Sequence, residues 1–283
     1  MCRFVLYMGP PITLDLLTTR PAHSIIHQSF KSRLREEPLN GDGFGIAWYV
    51  PEISLNPAQY RSIQPAWNNV NLLHLARVSR SPVILAHIRA ASEGIGISES
   101  NCHPFAVDRF AFMHNGSLAD FPRLKRRIAQ RLSDESYAAI HGTTDSEYLF
   151  ALFRDHMAGQ TASDETEAMA DALQATIVEA VELTVAAGVT RDSLFNLAVS
   201  DGRRAVVSRY ATGDAPSPSL YLRTGQQYVC ENAVCQMIDV EGDPSTVMVA
   251  SEPLTDEPGW NAVPPNHLLL IHPDFSISTR ALG

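Results

Sequence analysis

The chain opens Met1-Cys2, and its second residue is the first candidate for chemistry. Removal of Met1, usual when a small side chain follows it, would leave a cysteine carrying both a thiol and a free α-amine. An α-amine titrates at about 7.7 to 8.0 and a free cysteine at about 8.5, so near neutrality the amine can take the thiol proton and leave the stronger thiolate nucleophile. Threonine nucleophiles served by their own terminal amine use the same logic. Taken alone, Cys2 reads as an ordinary residue at the start of a strand. What shifts the balance lies further along.

Other candidates stand where apolar runs end. VILAHI, residues 83–88, reads as an interior strand that runs out into Arg89, Ser92 and Glu93, and such strand ends are where a rigid element hands functional groups to a cleft. Arg89 is equally explained by a surface ion pair. Asn115-Gly116 ends the strand-like RFAFMH and is a strong turn signal, here placed between a strand and a helix. The run Asn40-Gly41-Asp42-Gly43-Phe44-Gly45 invites a phosphate-loop reading, but no lysine follows and no helix opens behind it. Close backbone approach explains those glycines better. His23 and His27 could share a helix face, yet no third ligand joins them, no HExxH occurs, and no second Cys/His pair accompanies Cys230 and Cys235. Neither a metal nor a cofactor is expected.

These residues need elements to hold them. CRFVLYM reads as a buried strand ended by Gly9-Pro10-Pro11, HSIIHQSF as one or two helical turns, and IAWYV as a strand entered through glycines. A helix over 67–78 should carry Val70, Leu73 and Arg77 or Val78 on one face. Asp120 as N-cap and Pro122 in the first turn open a helix with Leu124, Ile128 and Leu132 inward. Thr144 or Asp145 opens the next, burying Tyr148, Leu149, Leu152 and Phe153; Ser163 caps a longer one that ends at Gly188 and buries Met169, Leu173, Ile177 and Ala180. LFNLAVS, AVVSRY, SLYLRT, TVMVAS and HLLLIH then read as strands, the first two joined by an Asp201-Gly202 hairpin turn. With no internal repeat and no clean linker, residues 1–283 are expected to form one domain, strands at both ends and helices between.

Composition bounds the function. At 283 residues and 45% hydrophobic content the chain can bury a sizeable core. Acidic residues exceed basic ones, 31 to 22, and no basic block could track a phosphate backbone, so nucleic acid is not an expected partner. No apolar run reaches the roughly 18 residues of a membrane span, and no signal-peptide pattern opens the chain. Four scattered cysteines make no secreted disulfide framework, which points to a reducing cytoplasm.

In order, Met1-Cys2-Arg3, Asp42-Gly43-Phe44-Gly45, His87-Ile88-Arg89-Ala90, Asn101-Cys102-His103-Pro104-Phe105, His114-Asn115-Gly116 and Thr144-Asp145-Ser146-Glu147 resemble the class II glutamine amidotransferases, N-terminal nucleophile hydrolases whose catalytic residue is a processed cysteine. RPAHSII, NGDGFGIAWY, PAWNN, SESNCHPF and FMHNGSL look most similar to the glutathione-degrading γ-glutamyl amidotransferase subgroup, with the ergothioneine-pathway amidohydrolase more distant. The resemblance implies an α+β fold, a four-layer αββα sandwich. It implies a thioester on Cys2, oxyanion donors at the Asn115 amide and Gly116 N–H, a carboxylate clamp at Arg89, an ammonium partner at Asp145 and a hydroxyl contact from Ser92. Better-known relatives carry Trp and His where this chain has Ala90 and Glu93. No synthase segment follows the motifs. The reading is therefore a hydrolase or amidotransferase of small γ-glutamyl compounds, with two alternatives: a glutaminase subunit feeding ammonia to a separate protein partner, and a non-catalytic γ-glutamyl sensor.

Overall fold

β-branched and aromatic runs at both ends of the chain and helix-forming runs between them set the architecture of the computed structural model, which describes residues 2–34, 39–90, 96–231, 234–238 and 245–282. The first part holds β1 (Arg3–Thr13), α1 (Asp15–Thr18), α2 (Ile25–Phe30), β2 (Phe44–Val50), β3 (Ser54–Ser62), α3 (Val70–Val78) and β4 (Arg80–Ile88). Then come β5 (Phe105–Val107), β6 (Phe110–Ser117), α4 (Phe121–Ala129), α5 (Asp134–Ala138), α6 (Asp145–Ala158) and α7 (Glu165–Ala186). The rest is β7 (Leu194–Ser200), β8 (Ala205–Ala211), β9 (Tyr221–Gly225), β10 (Gln227–Glu231), β11 (Val234–Ile238), β12 (Thr246–Ala250), β13 (Asn261–Ala262), β14 (His267–Ile271) and β15 (Ile277–Ala281).

A seven-stranded sheet runs β13-β9-β12-β1-β4-β2-β3, a six-stranded one β15-β14-β8-β7-β6-β5, and β10 and β11 form a separate hairpin. The alternation along β1 shows why two sheets are needed. Phe4, Leu6 and Met8 pack against Met113, Ala198 and Val207 of the second sheet, whereas Val5 and Tyr7 pack toward Leu17, Ile25 and Leu72 on the helical side. All five β1 residues are fully buried, each worth about 1.5 to 3 kcal/mol relative to exposure. On the far side Leu124 of α4, Leu149 and Phe153 of α6 and Leu173 of α7 cover the second sheet, in one core with Phe195 of β7. The result is the αββα sandwich implied by the motifs.

Several local expectations need correction. β1 does not stop at Gly9-Pro10-Pro11: its ladder with β4 shifts between Met8 and Ile12 and resumes, while Arg80 Nε donates to the Pro11 carbonyl at 2.8 Å. Asn115-Gly116 is not a turn, because both lie within β6 and pair with Asn196 and Phe195 of β7. Residues 66–68 form a separate 3-10 turn before α3, and α3 buries Leu72 and Ala76 while Val70, Leu73 and Val78 stay exposed. Asp164, not Ser163, caps α7, and Asp120 precedes α4 in a left-handed conformation without a side-chain cap bond. β3, the β10–β11 hairpin, β13 and β15 carried no recognised signal. Cys230 and Cys235, opposite each other in that hairpin, form a disulfide.

Candidate active site

Cys2 is the residue just before β1, whose first pairing joins Arg3 to Ile88 of β4. Its Sγ lies 3.6 Å from the Ala90 carbonyl, so the thiol sits beside the residues that follow β4. Arg89 is held there by backbone: its N–H donates to the Gly43 carbonyl at 2.8 Å and its own carbonyl accepts from Asp42 N at 3.1 Å. The glycines make this approach possible. Gly43 has φ +115°, and a Cβ on it would lie 2.7 Å from Cys102 Sγ; a Cβ on Gly45 would run into the His103 carbonyl.

The Arg89 side chain is only 3% exposed. Nη1 and Nη2 reach the carbonyls of Asp42 and Gly96 at 3.4 and 3.5 Å, and among the described residues no carboxylate lies within ion-pair distance. This is not the surface ion pair that the sequence left open. A buried guanidinium whose partners among the described residues are two long carbonyl contacts is suited to a bidentate anion.

A hydrogen-bond path links Arg89 to the start of α6. Asn101 Nδ2 donates to Gly96 O at 2.9 Å and Asn101 Oδ1 accepts from Thr143 N at 2.8 Å. Thr144 is the N-cap of α6, and Glu147 reaches back to accept from His141 N and Gly142 N at 2.8 and 2.6 Å. Asp145, in the first turn, accepts from Leu118 N at 2.7 Å and Ser146 N at 2.8 Å. Its half-buried carboxylate has no cation within ion-pair distance among the described residues.

Asn115 and Gly116 occupy the end of β6 beside Asp145. Asn115 is fully buried, with Nδ2 3.2 Å from Ser251 Oγ, and Ser251 in turn binds Phe4 of β1. Gly116 is half-buried, and a Cβ on it would meet the Leu194 carbonyl and, at 2.6 Å, His114 Nε2. Three buried histidines underlie this corner. His87 Nε2 lies 3.1 Å from the His114 carbonyl, the His103 ring lies against that of His87, tilted by 33° with centroids 4.2 Å apart, and His114 bridges Ser146 Oγ and the Leu194 carbonyl, each at 2.9 Å. Burial lowers the pKa of all three, that of His87 to about 3, so they are neutral near pH 7. For His114 the Asp145 charge and the bond to Leu194 partly oppose the shift. Burial likewise raises the Cys102 thiol pKa, opposed by Arg89 and Arg61, which makes Cys102 a poor nucleophile.

Thus the fold places Cys2, Arg89, Asn115, Gly116 and Asp145 at linked positions at one end of the two sheets. Ser92 lies outside the described residues. Arg3, Ser251 and Glu252 were missed. Arg3 is 2% exposed; its Nε meets Glu252 Oε1 at 2.5 Å and its Nη1 donates to the Cys2 carbonyl at 3.0 Å. The signal was available, since TVMVAS runs out into Ser251-Glu252 as VILAHI runs out into Arg89.

No group of three or more His, Cys, Asp or Glu among the described residues could hold a metal ion, and no helix among them is long and apolar enough to cross a membrane. A groove of about 870 Å³ lies at the other end of β6, lined by Arg109, Glu135 and Arg154 among others. Its Arg154 already pairs with Glu135 at 3.2 Å and Asp108 at 3.5 Å. Neither Cys2 nor Arg89 is among its lining residues.

Residues 17–279 match the family model described as glutamine amidotransferases class-II. The chain is 41% identical to the probable glutamine amidotransferase DUG3 of Saccharomyces cerevisiae, over 96% of this chain and 82% of that protein. It is 27% identical to the gamma-glutamyl-hercynylcysteine sulfoxide hydrolase of Mycolicibacterium smegmatis, over 95% of each. A solved glutamine aminotransferase class-II domain protein from Silicibacter pomeroyi superposes with a TM-score of 0.68 at 26% identity, over 99% of both chains.

Proposed function

The chain belongs to the class II glutamine amidotransferases and is an enzyme, and from that premise we propose that it cleaves the γ-amide of glutamine or of a small γ-glutamyl compound through a thioester on Cys2. The observation that carries this reading is the pairing of a thiol with a buried Arg89, which meets no carboxylate among the described residues, at one strand end. A γ-glutamyl group carries a carboxylate and an ammonium at its far end. Arg89 binds the first as a planar fork and Asp145 the second.

With Met1 removed, the α-amine of Cys2 takes the thiol proton and the thiolate attacks the γ-carbonyl carbon. Negative charge collects on the carbonyl oxygen, where the Asn115 amide and Gly116 N–H donate; losing one such donor costs about 2.7 to 4 kcal/mol of transition-state stabilisation. The amine returns its proton to the leaving nitrogen as the C–N bond breaks, leaving the thioester. Water, deprotonated by the same amine, then cleaves the C–S bond and releases glutamate. No histidine is needed, consistent with His87, His103 and His114 being neutral and enclosed. Residues 1–283 act as one domain in this reading. The hydrolase title of the mycobacterial relative supports direct hydrolysis, and a reducing cytoplasm would keep the nucleophile a thiol.

Glutamate release by the processed protein from glutamine, glutathione and γ-glutamyl amides tests the proposal. Cys2→Ala is expected to lower turnover by at least about 10³-fold. Turnover unchanged by Cys2→Ala would refute it.

A further inference from the structure

Ser251 and Glu252 immediately follow β12. Ser251 is fully buried, its N–H donates to the Phe4 carbonyl at 3.0 Å, and its Oγ accepts from the Phe4 N–H at 3.1 Å. Glu252 accepts from Arg3, whose Nη1 holds the Cys2 carbonyl. This dipeptide therefore ties down the strand that begins at the nucleophile.

Ser251 Oγ also lies 3.2 Å from Asn115 Nδ2. In that arrangement the hydroxyl accepts two N–H donors, and its own proton reaches no acceptor among the described residues. Asn115 Oδ1, equally buried, has no partner either. Buried polar groups are rarely left this way. Both orphans disappear when the Asn115 amide makes a half-turn about its Cβ–Cγ bond, which exchanges oxygen and nitrogen without moving the side chain and puts Nδ2, as a donor, where Oδ1 meets no hydrogen-bond partner among the described residues. Ser251 Oγ then donates to Oδ1 and still accepts from Phe4 N–H.

We infer that Ser251 is the positioning residue of the oxyanion donor: its hydroxyl proton, given to Asn115 Oδ1, fixes the amide with Nδ2 turned away from Ser251 and available to the charge that forms when Cys2 attacks. The catalytic consequence rests on the proposed amidohydrolase reading; the direction of the hydrogen bond does not. Ser251→Ala is expected to lower kcat about 10²-fold with KM within about threefold, and Ser251→Thr, which keeps the hydroxyl, to retain most of the rate. In an Asn115→Ala background Ser251→Ala should cost less than about twofold, since its target is gone. An equal loss in both backgrounds, or no loss in the parent, overturns the inference while leaving a Cys2-dependent activity intact. Should Ser251→Ala fail to fold, Ser251→Cys, a similar-sized and weaker donor, carries the same comparison. Neutron diffraction of the parent protein decides the matter independently of turnover. Deuterium on Ser251 Oγ aimed at Asn115 Oδ1 is expected, and deuterium on Asn115 Nδ2 aimed at Ser251 Oγ overturns it.

Discussion

Arg89 carries its charge into a site where, among the described residues, its side-chain partners are backbone carbonyls, and in the proposed mechanism the substrate carboxylate offsets its desolvation. A lysine there would keep the charge and lose the planar fork. Arg89→Lys is therefore expected to raise KM for glutamine about 10²-fold, or about 2 to 3 kcal/mol, with kcat changed only a few-fold. Steady-state kinetics checks this, and an unchanged KM would remove Arg89 from the substrate site. At this scale the residue types were legible because each sits where a pattern breaks: Arg89 ends an apolar run, and Cys2 opens the chain. Ser251 was not, because a serine after a strand looks like any loop residue until its partners Phe4 and Asn115, far away in sequence, are seen.

At the scale of elements, what matters is how closely backbones approach. β2 enters through Gly43 and Gly45, and Gly45 leaves no room for a methyl group against the His103 carbonyl. Gly45→Ala should destabilise the fold by about 1 to 3 kcal/mol and lower activity with it, read from chemical denaturation beside a kinetic assay. Stability equal to the parent would show that the 103–104 loop yields. Helices with a strong apolar stripe were readable: α6 and α7 bury the residues their spacing names. α3 was not, since its short, mostly apolar sequence offers more than one face and tertiary packing selects Leu72 and Ala76. Asn115-Gly116 misled for a related reason. Local turn preference lost to pairing with β7, so the dipeptide is strand and, in the proposed mechanism, donor pair together.

For the whole molecule, the buried histidine corner predicts an acid sensitivity unrelated to the nucleophile. Burial holds the pKa of His87 below its ordinary 6.5, at about 3, and His103 and His114 shift the same way. Between those values the unfolded chain binds more protons than the native one, so stability is complete above about pH 6.5 and falls as pH drops. For His87 the slope is about 1 kcal/mol per pH unit, and His103 and His114 act in the same direction. Glu252 adds a loss at lower pH: burial raises its pKa, but Ser32, Arg3 and Arg33 outweigh that and hold it below the ordinary 4.5. Glu147, raised by burial, works in the opposite direction. Denaturant titrations from pH 7.5 to 4.5 should show this decline, and a flat profile would mean the histidine corner is already protonated or wet. The layer order was legible in the strand-helix-strand sequence of patterns; which sheet each strand joins was not, because register between distant strands leaves no local mark. The central claim concerns the mature first residue, and intact-mass spectrometry before and after incubation with a γ-electrophilic glutamine analogue tests it most directly. The account predicts a chain lacking Met1 that gains one adduct, mapped to Cys2. A retained Met1, or an adduct on any other residue, would contradict it.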